Sequence, residues 1–165
     1  MNDRETAFDI LLRLLKGFEN AIIVTRRPDG ALAGRPMAIA DSTVDGHLWF
    51  LTRADSSTIR DITDNPEVVA CLQCDHCYLS LSGLARATRD SDRVDALWSP
   101  RDAVWYEKGK HDPNLILLEI VPTYGEYWDR SGIDTIAFRL QELRAMVTGE
   151  TPEDVPGKHG DVEFR

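Results

Sequence analysis

The chain has 165 residues, 42% of them hydrophobic and 28% charged, which is an ordinary balance for one soluble globular domain with a single core. Its formal net charge of -9 argues against a nucleic-acid partner, because a polyanion normally requires a basic face that this composition would have to concentrate against its average. No run reaches the roughly 20 apolar residues of a membrane span, and Met1-Asn2-Asp3-Arg4-Glu5 lacks the basic-then-apolar order of a signal peptide, so no membrane partner and a cytoplasmic location are expected.

Over residues 4–18, Phe8, Leu11, Leu12, Leu15 and Phe18 recur at helical spacing, which predicts an N-terminal helix with one stripe on the core and a stop at Gly17. Residues 21–25 read as a short strand. Arg27-Pro28-Asp29-Gly30 is turn chemistry, and a hairpin to a second strand over 31–40 follows. A regular strand there places Arg35, Met37 and Ile39 on one face. Pro36 donates no ladder hydrogen bond, so it belongs at an edge or a bulge, where neighbouring backbone groups can face a ligand or, more simply, solvent.

Asp45-Gly46 marks another tight turn. In residues 47–52 Leu48, Phe50 and Thr52 share a face, an aromatic and a hydroxyl suited to the side of a ring with a polar chain. Asp55, Ser56, Ser57 and Thr58 then offer caps for a helix running through Ile59 and Ile62 to Asn65-Pro66. The free N–H groups of a first turn beside several hydroxyls suit a phosphate, although any helix start contains such residues.

Residues 67–72 and 78–87 read as two strands, with Gly83 marking a bulge in the second. A short helix over 91–98 ends before Ser99-Pro100, and residues 103–109, with Trp105 and Tyr106, form a loop or another short helix. Residues 115–121 are apolar apart from Glu119. Residues 123–129 are read as their partner strand across Pro122. Phe138, Leu140, Leu143, Met146 and Val147 suggest a C-terminal helix up to Gly149, after which 151–165 reads as a mobile tail, or one ordered only by a partner, behind a single domain of residues 1–150. At least six short strands and few helices predict a mainly β fold, an antiparallel barrel with flanking helices.

Cys71, Cys74 and Cys77 are odd in number and close together, so reduced thiols are the simpler expectation. Cys74-Asp75-His76-Cys77 has the spacing of a redox pair or half a zinc site, but a second half-site is missing from the sequence, and a turn between strands is the plainer reading; no metal is assigned.

Gly34-Arg35-Pro36-Met37, Asp45-Gly46, Leu48-Trp49-Phe50-Leu51-Thr52, Asp55-Ser56 and Asn65-Pro66, in this order, resemble the flavin-binding split-barrel family related to pyridoxamine phosphate oxidase. Tyr78-Leu79-Ser80-Leu81-Ser82-Gly83, Leu97-Trp98-Ser99-Pro100, Asp112-Pro113 and Glu126-Tyr127-Trp128-Asp129 look like its general stress protein branch. The resemblance implies a six-stranded antiparallel split β-barrel that forms a homodimer, with FMN in a groove at the subunit interface. It places Arg35, Pro36, Met37 and Ala38 beside the flavin. Phe50, Leu51 and Thr52 would flank the ring and ribityl chain, Ser56, Ser57 and Thr58 would meet the phosphate, Tyr78 would reach in from the other subunit, and Trp105 would neighbour the ring.

Many relatives carry Lys where this chain has Thr58, and Arg53 or Arg60 are the candidates to replace that charge. The implied activity is an FMN-dependent oxidoreductase acting on a small redox substrate, without assigned catalytic residues. The alternatives are a flavin-binding sensor or reservoir without turnover, or a groove that holds FAD, deazaflavin or haem.

Overall fold

A computed structural model describes residues 6–130 and 157–164. The N-terminal stripe forms helix α1 (Ala7–Leu15), which buries Ile10, Leu11, Leu14 and Leu15. Its start is a reciprocal cap: the Thr6 hydroxyl accepts from the Asp9 N–H, and the Asp9 carboxylate accepts from the Thr6 N–H at 3.0 Å.

Eight strands follow among the described residues: β1 (Asn20–Arg26), β2 (Leu32–Ala38), β3 (Asp41–Ser42), β4 (Leu48–Arg53), β5 (Glu67–Gln73), β6 (Cys77–Thr88), β7 (Leu115–Asp129) and β8 (Lys158–Glu163). They form one antiparallel sheet in the order β2-β1-β5-β6-β7-β4-β3, with β8 added to β7. Gly30 and Gly46 take positive φ angles of 85° and 84° in the two tight turns. The sheet curls until the end of β2 reaches β4, and its interior holds Ile23, Phe50, Leu79, Leu81, Leu118 and Ile120. This is a split β-barrel. Helix α2 (Ser57–Asp64) packs against β1 and β6, and α1 lies against β6, β7 and β8.

A second, smaller core lies on the far side of β4 and β7, where helix α3 (Ser91–Leu97), Trp98 and Tyr106, the last two flanking the 3-10 turn Pro100–Val104, pack with Trp49, Leu51, Leu115 and Leu117. Both faces of this part of the sheet are therefore buried, which explains the unbroken apolar run over 115–118. Glu119 is 2% exposed and is held by the Arg86 guanidinium and by His47 Nδ1 at 2.7 Å. A buried carboxylate requires such partners. Arg93 spreads over the Trp49 ring at 4.7 Å and bonds Asp41 at 2.7 Å, pinning α3 to the sheet.

Three expectations are corrected. Residues 115–129 are one strand, because Pro122 falls at a bulge: Ser82 pairs with Tyr124 and Gly83 with Pro122, leaving Thr123 as the extra residue. Residues 158–163, expected within a mobile tail, are strand β8, since Val162 is buried and the Phe164 ring packs edge-on to Phe8 at 5.7 Å. Cys74 and Cys77, expected as thiols, are joined by a disulfide, although the turn expected there is present. The helix expected over 138–149 lies outside the described residues. No helix among the described residues is long and apolar enough to cross a membrane.

Gly83 is required by close approach. A Cβ at this position would lie 2.2 Å from the Val121 carbonyl oxygen and 2.8 Å from Pro122 Cα, both backbone atoms that a rotamer change cannot move. Gly83→Ala is expected to cost at least about 1–3 kcal/mol of stability, as overpacking does, read as a lower urea midpoint at unchanged slope.

Candidate functional site

The site follows from where the curled sheet stops closing. The Ile39 N–H bonds the Glu19 carbonyl and the Arg27 N–H bonds the Ala31 carbonyl, so by antiparallel alternation Ala33, Arg35 and Met37 turn their backbone groups toward β1. Gly34, Pro36 and Ala38 turn theirs to the open edge. Two residues on, the open-edge amide of Ala40 finds the Trp49 carbonyl at 2.8 Å, and there the barrel shuts. Pro36 thus occupies a position whose missing N–H would have faced no strand.

The gap widens into a cleft of about 690 Å³. One wall is Pro36, Met37 and Ala38, the opposite one Leu51, Thr52 and Arg53, and the third Ser99, Arg101, Asp102, Trp105 and Tyr106. Trp105 stands at the rim, 72% exposed. Beside this cleft a second cavity of about 580 Å³ is lined by Arg27, Arg35, Ser57, Arg60, Asp61 and Asp64. Arg53 borders the first and Ala54 the second, so the two adjoin at that peptide.

The cationic cavity is built around one buried carboxylate. Asp61 Oδ2 accepts from the Thr25 hydroxyl at 2.7 Å and from Arg35 Nη1 at 2.9 Å, while Arg35 Nη1 also donates to Thr25 Oγ1 at 2.7 Å. This fixes the guanidinium at the cavity wall. Ser56 caps α2, its hydroxyl accepting the Ile59 N–H at 3.3 Å, and Ser57 in the first turn faces the cavity. Arg53 is held in a forked pair by Asp55, with both contacts at 3.1 Å, and the guanidinium holds the Asp55 carboxyl down at about 2. Arg60 Nη1 instead donates to the neutral Asp55 carbonyl at 2.9 Å and makes no ion pair among the described residues.

Of the twelve residues expected at a ligand, Pro36, Met37, Ala38, Leu51, Thr52 and Trp105 line the cleft, and Arg35 and Ser57 line the adjoining cavity. Ser56 caps the helix between them. Phe50 and Thr58 are among the lining residues of neither cavity. Phe50 is fully buried, because the inward face of β4 is the one carrying Leu48 and Phe50, and Thr58 is 4% exposed beneath α2. Tyr78 lies apart on the outer sheet face beside Trp128. Apart from Trp105, the third wall was not anticipated. Its signal was Ser99-Pro100-Arg101-Asp102, a capping box in which Asp102 accepts the Ser99 N–H at 2.7 Å and so sets the loop that carries Trp105 and Tyr106.

Tyr106 is the phenol of this wall. Burial, with Asp102 nearby, pushes its phenol up to about 12, so it stays a neutral hydroxyl at neutral pH. An acid whose folded pKa is raised stabilises the fold below its unfolded value near 10, and that contribution is lost as pH rises to about 12. Tyrosinate absorbance should therefore include a late phenol near pH 12 that is lost in Tyr106→Phe, and the variant should lose less stability between pH 10 and 12.

Residues 6–153 match the family model described as pyridoxamine 5'-phosphate oxidase like. The chain is 32% identical over 80 residues to general stress protein 26 of Bacillus subtilis (strain 168), a match covering 46% of this chain and 56% of that protein, so it spans little more than half the length of this relative. The crystal structure of general stress protein 26 from Bacillus anthracis str. Sterne superposes with a TM-score of 0.66 at 26% identity, covering 73% of this chain and 92% of that one. The general stress FMN/FAD binding protein of Xanthomonas citri superposes with a TM-score of 0.64 at 29% identity, covering 74% and 87%. With the split barrel, its open β2 edge and the family model matching most of its length, the chain belongs to the pyridoxamine 5'-phosphate oxidase like family.

Proposed function

We propose that this chain is an FMN-binding protein of the oxidoreductase type that works as a homodimer. The observation that carries this is the junction of two unlike spaces at the Arg53–Ala54 peptide, one cationic and one flat-walled with an unpaired strand edge. A ligand with a phosphate at one end and a polar planar ring at the other matches that pair. Arg35, Arg60, Ser57 and the first turn of α2 would hold the phosphate. The open-edge backbone of Pro36 and Ala38 would meet the polar rim of the ring, with Met37, Leu51 and Thr52 against the rest. The flavin-binding relative from Xanthomonas citri supports the same choice of ligand.

When bound, FMN supplies hydride or electron transfer, and the protein's part is to bind, orient and shield. Arg60 would supply the positive charge that the family resemblance expects from a lysine at the position of Thr58. Arg53 is less suited, because Asp55 already neutralises it. The Tyr106 hydroxyl, kept protonated, is a hydrogen-bond donor on the cleft wall.

The homodimer rests on the outer face of β2, β1, β5 and β6, where Pro36, Ile22, Cys71 and Ser80 stand side by side in register, with Tyr78 and Trp128 in the next row. Arg26, Glu67, Arg86 and Glu126 are the charged residues pointing outward on these strands and the adjoining end of β7, and Arg86 is tied to Glu119, a sparse set in a chain that is 28% charged. A second copy of this chain, with the same nearly uncharged face, fits this surface. Pro36 borders both the cleft and this face, so a second copy would add a wall to the cleft and bring its own Tyr78 toward it.

Titration with FMN, followed by flavin fluorescence, should saturate near one FMN per chain. Arg60→Ala should raise Kd by about 10- to 100-fold, the effect of losing a charge-assisted contact worth about 1.5–3 kcal/mol. Arg35→Ala should raise it as well, with an added loss of stability because Asp61 is left unpaired. Absence of saturable FMN binding by a folded protein removes the proposal. Consumption of NADH or NADPH by the complex separates an enzyme from a binder without turnover. In sedimentation the protein should run as a dimer, and Ile22→Glu as a monomer with weakened FMN binding.

A further inference from the structure

The hairpin from β5 to β6 turns through Cys74-Asp75-His76-Cys77, and the sulfurs of its end residues are bonded, with Cα atoms 5.1 Å apart. Strand pairing has no need of this bond. β5 and β6 are in register over seven pairs, from Glu67 opposite Leu84 to Gln73 opposite Tyr78. The Cys74 N–H donates to the Cys77 carbonyl at 2.8 Å, and the Arg130 N–H holds the turn through the His76 carbonyl at 2.8 Å. A cross-link stabilises a fold chiefly by closing loops in the unfolded chain, and a loop this short gives the smallest such effect. The bond is a poor staple placed where the backbone is already fixed.

The turn does provide two sulfurs preset for exchange. Cys74 is partly exposed between Gln73 and the exposed Asp75 and His76, whereas Cys77 is 7% exposed at the core. We propose that Cys74 and Cys77 are a reversible dithiol–disulfide site that exchanges electrons with a low-molecular-weight thiol–disulfide couple, independently of any flavin. A thiolate of the reductant attacks Cys74 Sγ. The Cys74–Cys77 bond breaks, a mixed disulfide forms on Cys74, and Cys77 leaves as a thiolate and takes a proton from water. A second thiolate then attacks the reductant's sulfur in the mixed disulfide, releasing Cys74, which is protonated in turn. Two external thiols become one disulfide, and the protein takes up two electrons and two protons. The backbone bonds of the turn persist in both states, and the freed thiols remain small, weakly polar groups at the edge of the core, so the cycle proceeds without unfolding.

Cys71 provides an internal count, because it is exposed on the outer face and unbridged. The full chain is equilibrated in glutathione buffers from fully reduced to oxidised, quenched in acid, denatured, alkylated and weighed. Three labels in reduced buffer should give way to one label in oxidised buffer in a single transition, with the circular dichroism spectrum unchanged. Cys77→Ser should accumulate a glutathione adduct on Cys74. Three labels across the whole range would mean that the bond does not form, and one label even in reduced glutathione would mean a permanent cross-link. Either result overturns the proposal.

Discussion

The hydrogen bond from the Ala40 amide to the Trp49 carbonyl decides where this barrel is shut. On one side of it the sheet continues as β3 and β4 and the chain buries both of its faces. On the other, β2 and β4 part, and β2 is left with an edge of backbone groups that no strand among the described residues satisfies. Exposed strand edges are a hazard that proteins usually cover or blunt. Here Pro36 removes a donor from that edge and the loop carrying Trp105 and Tyr106 approaches from across the gap, so the edge lies in a cleft instead of on an open surface.

The electrostatics work against the chain as a whole. A net charge of -9 repels anions, yet the cavity beside α2 carries three arginines, Arg27, Arg35 and Arg60, against two acids, Asp61 and Asp64, and Asp61 is tied to Arg35. Asp61 is buried and orients Arg35 together with Thr25, and Asp55 neutralises Arg53. The charge of Arg60 is left without a carboxylate among the described residues. A local anion site can thus form on an acidic protein through pairing, with no basic surface required.

Features set by neighbouring residues were legible in the sequence. The Ser56 cap, the bulge at Gly83, the tight turns at Gly30 and Gly46 and the edge position of Pro36 each follow from what one residue type permits. Features set by distant parts of the chain were not. The alternation of β4 identified Leu48 and Phe50 as one face but could not say which face turned inward, since Trp49 and Leu51 on the other are covered as well. Pro122 reads as a break unless Gly83, far away in sequence, is known to lie opposite it. The polar residues 158–163 gain a strand from Tyr124–Asp129 and an anchor from Phe8, neither of which local composition reveals. Thr58 was placed correctly in the first turn of α2, but its burial depends on how that helix is rolled against β1.

Strand β7 borders β6 along most of its length and also receives β4 on its first half and β8 on its second. Its position late in the chain has a consequence for synthesis. Leu48 of β4 must wait for Ile120, 72 residues downstream by subtraction of the two numbers, before its edge is paired. At a ribosomal rate of about 5–20 residues per second, that leaves the β7-facing edge of Leu48, Trp49 and Phe50 unpaired for roughly 4–14 s, with only the two-residue β3 on the other edge. During that interval the nascent chain presents an apolar strand with an unpaired edge to its surroundings, so the emerging polypeptide is at its most chaperone-dependent just before β7 leaves the exit tunnel.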